Sequence, residues 1–147
     1  MSAALFYEVM RMDKHDYDEI KRDINIFVRK EFGYKVVEGR IARKCSSFPT
    51  YAISGNKVDP YIRFAKPSYN SFPPGTIVIS SINVYPERKG KGRKVVDFLY
   101  ELAKKYGFEY IGLESTNDDS IVFGQRLGFE ILRAEYYFAP NLVKKVI

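Results

Sequence analysis

One short segment of the chain combines glycines with basic side chains in a pattern that suits an anion. It reads Lys89-Gly90-Lys91-Gly92-Arg93-Lys94 and separates an apolar, β-branched stretch from residues at helical spacing. Glycines let the backbone approach a ligand, and the first amides of a helix point outward at the positive end of its dipole. The pattern therefore predicts a phosphate or pyrophosphate site. A solvated turn that binds nothing is the alternative.

The net charge of the chain points to the same segment. The 147 residues include 24 Lys and Arg against 18 Asp and Glu, which gives a formal net charge of +6. Five basic side chains, against a single Glu, lie between residues 85 and 94. A positive balance favours nucleic acid, a membrane surface or a phosphate-bearing small molecule, and concentration on one glycine-rich turn favours the last. Nucleic acid ranks second because few aromatic residues alternate with the basic ones.

Composition excludes several classes of site and of location. Cys45 is the single cysteine and His15 the single histidine, so no disulfide framework, zinc cluster or multi-histidine metal site is expected. The length fits one domain, residues 1–147. No apolar run reaches the roughly 20 residues of a membrane span, and the start does not resemble a signal peptide. We therefore expect a soluble, cytoplasmic protein that does not enter a membrane.

Hydrophobic spacing predicts the elements that must position the turn. A strand over Leu5–Met10 and an amphipathic helix from Asp13 or Asp16 to Phe32–Gly33 open the chain. Between them and the turn, the pattern indicates short strands at 34–41 (or a helix end), 49–54 and 61–65, a loop at 67–75, and a strand at Thr76–Val84. After the turn it predicts a helix to Tyr106, a strand at Glu109–Leu113, a helix at Asn117–Leu127 and a last strand at Phe129–Phe138. This order indicates an α/β or α+β protein with at least one βαβ unit.

Two motifs in the second half of the chain resemble a known family. The first is Ile82-Asn83-Val84-Tyr85-Pro86 followed by the basic turn, and the second runs from Asn117 to Gly128-Phe129. From Thr76 to about Phe138, a little under half of the chain, the sequence resembles the GCN5-related N-acetyltransferase (GNAT) family. The resemblance implies a mixed, mostly antiparallel central sheet flanked by helices, with a strand, a glycine-rich turn and a helix forming the cofactor site.

The resemblance also implies acetyl-CoA as the cosubstrate. The backbone of Ile82, Asn83 and Val84 would run along the pantetheine arm, and Asn117 would hydrogen-bond that arm. The turn would bind the pyrophosphate through its backbone, with the side chain of Lys94 directed away from the phosphates. The complete set of cofactor-binding residues implied in this way is Ile82, Asn83, Val84, Lys89, Gly90, Lys91, Gly92, Arg93, Lys94, Asn117 and Phe123.

The catalytic groups are less well defined. Many members of the family have a Tyr, thought to protonate the leaving thiolate, where this chain has Gly124. Glu114 resembles the catalytic Glu of ribosomal-protein alanine acetyltransferases and is a candidate base, with an exposed or paired carboxylate as the alternative. Tyr136 and Tyr137 are candidates for the missing acid, and at most one of them points at the site because neighbours in a strand face opposite sides.

We therefore expect an acetyl-CoA-dependent N-acetyltransferase that transfers an acetyl group directly to a primary amine of a small molecule, peptide or protein. The alternative is a GNAT-fold module with weak or no activity that binds nucleic acid or regulates another protein. The acceptor and the oligomeric state stay open, a homodimer included.

Overall fold

A mixed β-sheet organises the described part of the chain. The computed structural model describes residues 14–34, 40–42, 49–52, 58–65, 71–84, 90–114, 116–132 and 140–146. Within these residues the sheet has seven strands in the order β1-β2-β3-β4-β5-β7-β6. The strands are β1 (Arg40–Ala42), β2 (Thr50–Ala52), β3 (Val58–Ala65), β4 (Thr76–Val84), β5 (Tyr110–Leu113), β6 (Glu130–Ile131) and β7 (Leu142–Lys145). Only the β4–β5 pairing is parallel, so the expected mixed, mostly antiparallel sheet is confirmed.

Three helices in the described part of the chain flank the sheet, and the sequence predicted all three. They are α1 (Lys14–Phe32), α2 (Lys91–Tyr106) and α3 (Asp118–Arg126). The apolar stripe of α1, which includes Ile20, Ile24 and Val28, is buried in the main core. The rings of Phe27 and Phe98 stack between α1 and α2 with centroids 4.1 Å apart. This pairing of helices covers one face of the sheet.

The other face of the sheet has a smaller core built around a loop residue. Alternation along the strands directs Ala65 and Val78 away from α1 and α2, and Phe72 packs on them with 1% of its surface exposed. The ring of Phe72 occupies the space over Gly112, where an added Cβ would lie 2.3 Å from Cε1 of the ring. The sequence predicted only a loop at 67–75, and the ring of Phe72 fastens the described part of this loop to the sheet.

The last strand of the described residues lies beyond the one that the sequence predicted. Only Glu130–Ile131 of the expected 129–138 segment is a strand in the described residues, and 133–138 lies outside them. The last strand is β7, which inserts between β5 and β6. Two lysines make β7 resemble a solvated segment in the sequence. In the structure, however, Leu142 is fully buried and the ammonium of Lys144 lies over the ring of Tyr100.

Other differences between the predicted and the observed strands lie in the first half of the chain. Strand β3 starts at Val58, three residues before the predicted start. The prediction began later because a proline such as Pro60 argues against a strand. The pairing of β3 with β2 covers Tyr61–Arg63. Pro60 lies just outside this paired part of β3 and is therefore tolerated. Of the 34–41 segment, residues 40 and 41 belong to β1, and the predicted opening strand lies outside the described residues.

The contact between Gly112 and Phe72 gives a test of this packing. Replacement Gly112→Ala should destabilise the protein by about 1–3 kcal/mol, because the added methyl overlaps the ring and the central strand cannot move aside. Urea unfolding of the wild type, Gly112→Ala, Phe72→Leu and the double variant forms a thermodynamic cycle. The cost of Gly112→Ala should shrink in the Phe72→Leu background. Equal costs in both backgrounds would show that the ring does not constrain Gly112.

Candidate functional site

An opening in the sheet between β4 and β5 is the central feature of the site. The two strands pair in parallel only from Thr76 to Ile79, and the amide of Glu114 donates the last bond between them to the Ile79 carbonyl at 3.0 Å. Beyond that point β4 continues to Val84 with β3 on one side. On the other side, no strand of the described residues pairs with residues 81–84. One edge of β4 is therefore without a strand partner among the described residues.

A β-bulge in β4 coincides with the start of this opening. Tyr61 lies opposite Ser81 and Ile62 opposite Ile79, so Ser80 is the extra residue. A bulge bends its strand and increases its twist, which turns the end of β4 away from β5. The pair Ser80-Ser81 interrupts an otherwise β-branched strand, and this was the signal in the sequence that could have located the bulge.

The N-terminus of α2 follows the opening along the chain. Gly90 precedes the helix in the left-handed conformation, with φ +71°, and no side chain of the described residues caps the helix. The amide of Lys94 donates to the Gly90 carbonyl at 3.2 Å and is thus used inside the helix. The amides of Lys91, Gly92 and Arg93 have no partner within the helix and carry the positive end of its dipole. These three amides make a backbone site for an anion.

The basic side chains around these amides are held by acidic groups. The ammonium of Lys91 donates to the Glu31 carboxylate at 2.8 Å and to the Glu31 carbonyl at 3.0 Å, and Lys94 lies 3.0 Å from the same carboxylate. These contacts, that of Lys91 first, hold the pKa of Glu31 below its ordinary value. Arg93 pairs with Asp97 at 3.8 Å within the helix. Phosphate binding at this turn would therefore rest on the backbone more than on the lysines.

A polar cluster, formed by Arg63, Ser80 and Glu114, occupies the sheet face opposite α1 and α2 at the same opening. Nε of Arg63 donates to Oγ of Ser80 at 3.1 Å, and Ser80 donates to Oε2 of Glu114 at 3.4 Å. Nε of Arg63 lies 4.0 Å from Oε2 of Glu114. The guanidinium also lies over the ring of Tyr61, 5.0 Å from its centroid. The bulge brings the three polar groups together, and the sequence had indicated only Glu114.

Helix α3 lies beside the start of α2. Asn117 caps α3 by accepting from the Ser120 amide at 2.9 Å, and its side chain is exposed. The ring of Phe123 lies beside the start of α2, 3.7 Å from the place of a Cβ on Gly92. Any side chain at Gly124 would collide with the core, because its Cβ would lie 2.6 Å from Leu142 and 2.9 Å from Leu113. The position where the family resemblance implies a tyrosine is thus filled by packing here.

The structure brings most of the sequence-predicted site residues to one region. Ile82, Asn83 and Val84 lie along the open edge, the turn residues from Gly90 follow, and Glu114 lies where the strands part. Lys89, Tyr136 and Tyr137 lie outside the described residues, and their assigned roles stay predictions. Sequence reasoning missed Arg63, Ser80 and Glu31, none of which belongs to a motif.

The described residues hold no cluster of three or more His, Cys, Asp or Glu side chains that could bind a metal ion. Likewise, none of the described helices has the length and apolarity needed to cross a membrane.

Comparisons with known proteins bear on the fold. No protein-family model matches the sequence. No curated protein matches it either. Among solved structures, GCN5 from Tetrahymena is 13% identical, with 70% of this chain and 71% of that chain covered and a TM-score of 0.51. A protein from Desulfovibrio desulfuricans assigned to the GNAT family of acetyltransferases is 16% identical, with 69% and 70% covered and a TM-score of 0.50. At these identities the likeness concerns the fold alone, and the chain has the fold of GNAT-family acetyltransferases.

Proposed function

We propose that the protein is an acetyl-CoA-dependent N-acetyltransferase that transfers the acetyl group directly to an amine, with residues 1–147 acting as one domain. The observation that supports this most is that two features follow each other along the chain. They are the open edge of β4 and the uncapped N-terminus of α2. Acetyl-CoA has an extended, amide-containing arm joined to a pyrophosphate. A strand edge beside a helix N-terminus matches both parts in the same order.

The cosubstrate would be held mainly by backbone groups. The edge formed by Ile82, Asn83 and Val84 would pair with the amides of the pantetheine arm as another strand would. The amides of Lys91, Gly92 and Arg93 would hold the pyrophosphate. Asn117 uses its Oδ1 to cap α3, so its Nδ2 is the donor that would face the arm. Phe123 would limit the space beside the phosphates.

The transfer needs a neutral amine at the point where β4 and β5 separate. Glu114 lies there and would take a proton from the acceptor ammonium. The amine nitrogen would then attack the thioester carbonyl carbon, forming a C–N bond as the C–S bond breaks. The nitrogen loses its second proton and the departing thiolate takes one up, so the reaction releases one proton overall. An amide on the open edge of β4, just beyond the bulge, would stabilise the oxyanion.

Binding of acetyl-CoA tests the proposal directly. Isothermal titration should detect one site per chain, and acetyl-CoA should raise the melting temperature because it binds the folded state. The variant Gly92→Glu should weaken binding at least about 10-fold, since its carboxylate meets the phosphates at the same amides. It should still fold, because a Cβ at Gly92 meets only ordinary contact with Phe123 and an acidic residue suits a first helical turn.

The control for Gly92→Glu is Gln125→Glu, which adds the same charge at an exposed position of α3. Its affinity should equal that of the wild type. Absence of binding to the wild type at millimolar acetyl-CoA would overturn the proposal. Salt-dependent retardation of DNA or RNA in that case would favour the binding-module alternative.

Neutralisation of Glu31 should strengthen cosubstrate binding. The variant Glu31→Gln removes a negative charge next to the anion site, so the positive charges of Lys91 and Lys94 are no longer compensated by Glu31 and act on the phosphates. The expected gain in affinity for acetyl-CoA is roughly 2- to 5-fold, and it should fall as salt rises. Glu101→Gln, at the opposite end of α2, is the control and should change nothing. A loss of affinity would mean that Glu31 positions the lysines for binding.

Removal of the Glu114 carboxylate should affect turnover and spare cosubstrate binding. For Glu114→Gln, kcat should fall by roughly 10²- to 10⁴-fold, the usual contribution of a general base. The dissociation constant of acetyl-CoA should stay within a factor of about 3 of the wild type, a change of less than 1 kcal/mol. Glu109→Gln, an exposed carboxylate just before β5, serves as control. Unchanged kcat in Glu114→Gln would exclude Glu114 as the base.

A further inference from the structure

The polar cluster of Arg63, Ser80 and Glu114 places opposite charges side by side at the predicted point of transfer. The two charged side chains are largely covered, with 21% of Arg63 and 16% of Glu114 exposed. Part of each side chain is thus exposed at the opening. In a partly buried setting, each charge interacts more strongly with a partner than it would at the surface.

The structure holds the charged groups of Arg63 and Glu114 side by side. The Nε–Oε2 separation of 4.0 Å exceeds a direct hydrogen bond, and the Ser80 hydroxyl lies between the two groups. Ser80 and the ring of Tyr61 fix the orientation of Arg63. The cluster is thus a fixed positive group next to a fixed negative group.

We propose that the acceptor is a free α-amino acid, a class of substrate that carries an ammonium and a carboxylate on neighbouring atoms. Its carboxylate would bind the guanidinium of Arg63, and its ammonium would lie against Glu114. This inference rests on the proposed acetyl transfer and specifies its acceptor. A polyamine or a lysine side chain offers positive charge alone, which Arg63 repels. The amino terminus of a peptide lacks the adjacent carboxylate.

The charge change during the reaction agrees with this assignment. Glu114 takes one proton from the ammonium, the nitrogen forms the bond to the acetyl carbon, and the thioester C–S bond breaks. The second proton of the nitrogen balances the one taken up by the CoA thiolate. The product amide is neutral at nitrogen and no longer attracts Glu114, whereas its carboxylate still contacts Arg63. The acceptor therefore binds through two charges and the product leaves with one.

Matched pairs of acceptors test the proposal on the wild-type protein. The probes are the common L-amino acids and the corresponding L-amino acid amides, in which a neutral group replaces the carboxylate. Release of CoA thiol reports the rate with each. The amine of an amide is less basic and more of it is neutral at neutral pH, so chemistry alone favours the amides. We expect at least one amino acid to exceed its amide in kcat/KM by roughly 10- to 100-fold, the effect of one hydrogen bond between charged groups.

Substitution of Arg63 should remove this preference. In Arg63→Met the amino acid should lose most of its advantage through a higher KM, whereas the rate with the amide should change much less. Arg63→Lys should retain part of the preference. Lys145→Met, which removes a positive charge from an exposed position on β7, is the matched control and should keep the wild-type ratio. Circular dichroism and acetyl-CoA titration establish that each variant folds and binds the cosubstrate.

The outcomes separate this inference from the proposed function. Binding of acetyl-CoA with acetylation of amides as fast as amino acids, or of no amino acid at all, would overturn the acceptor class and leave the cosubstrate site standing. An unchanged ratio in Arg63→Met would likewise overturn the role of Arg63. A wild-type protein that binds no acetyl-CoA would overturn the proposed function, and the acceptor class with it.

Discussion

The short parallel pairing between β4 and β5 is the constraint on which the rest of the site depends. Parallel strands usually continue side by side, because each strand satisfies the backbone of its neighbour. Here the pairing covers Thr76–Ile79 and ends with the bond from Glu114 to Ile79. The bulge at Ser80 redirects β4 at that residue. An open strand edge inside a sheet is otherwise a liability, so an extended ligand is the natural partner for it.

The two faces of the sheet contribute different groups around this opening. The helix side contains the main core and the amides at the start of α2, while the opposite side contains the polar cluster and the Phe72 contact. Gly112 and Glu114 share that second face, two residues apart on β5. The ring that fastens the loop to Gly112 therefore lies next to the proposed transfer point. A cosubstrate bound along the β4 edge and an acceptor entering over Glu114 would meet from opposite sides.

The sequence predicted the helices and β4 well because each depends on local patterns. The stripe of Ile20, Ile24 and Val28 and the glycines at the ends of α2 define those elements without any distant partner. Strand β7 could not be predicted in the same way, since its burial depends on insertion between β5 and β6 and its lysines resemble a solvated tail. Arg63 and Ser80 could not be predicted as site residues for a related reason. Their proximity to Glu114 arises from the register of three strands, which no single segment reveals.

The absence of a tyrosine at Gly124 is compatible with the proposed transfer on chemical grounds. The position faces Leu113 and Leu142, so the packing of α3 on the sheet leaves no room there for an acid. A thiol has a pKa near 8.5, which makes thiolate a good leaving group close to neutral pH. The proton that the thiolate finally takes up is one that the nitrogen must lose in any case. The harder requirement is a neutral amine at the thioester, and providing it is the role that we propose for Glu114.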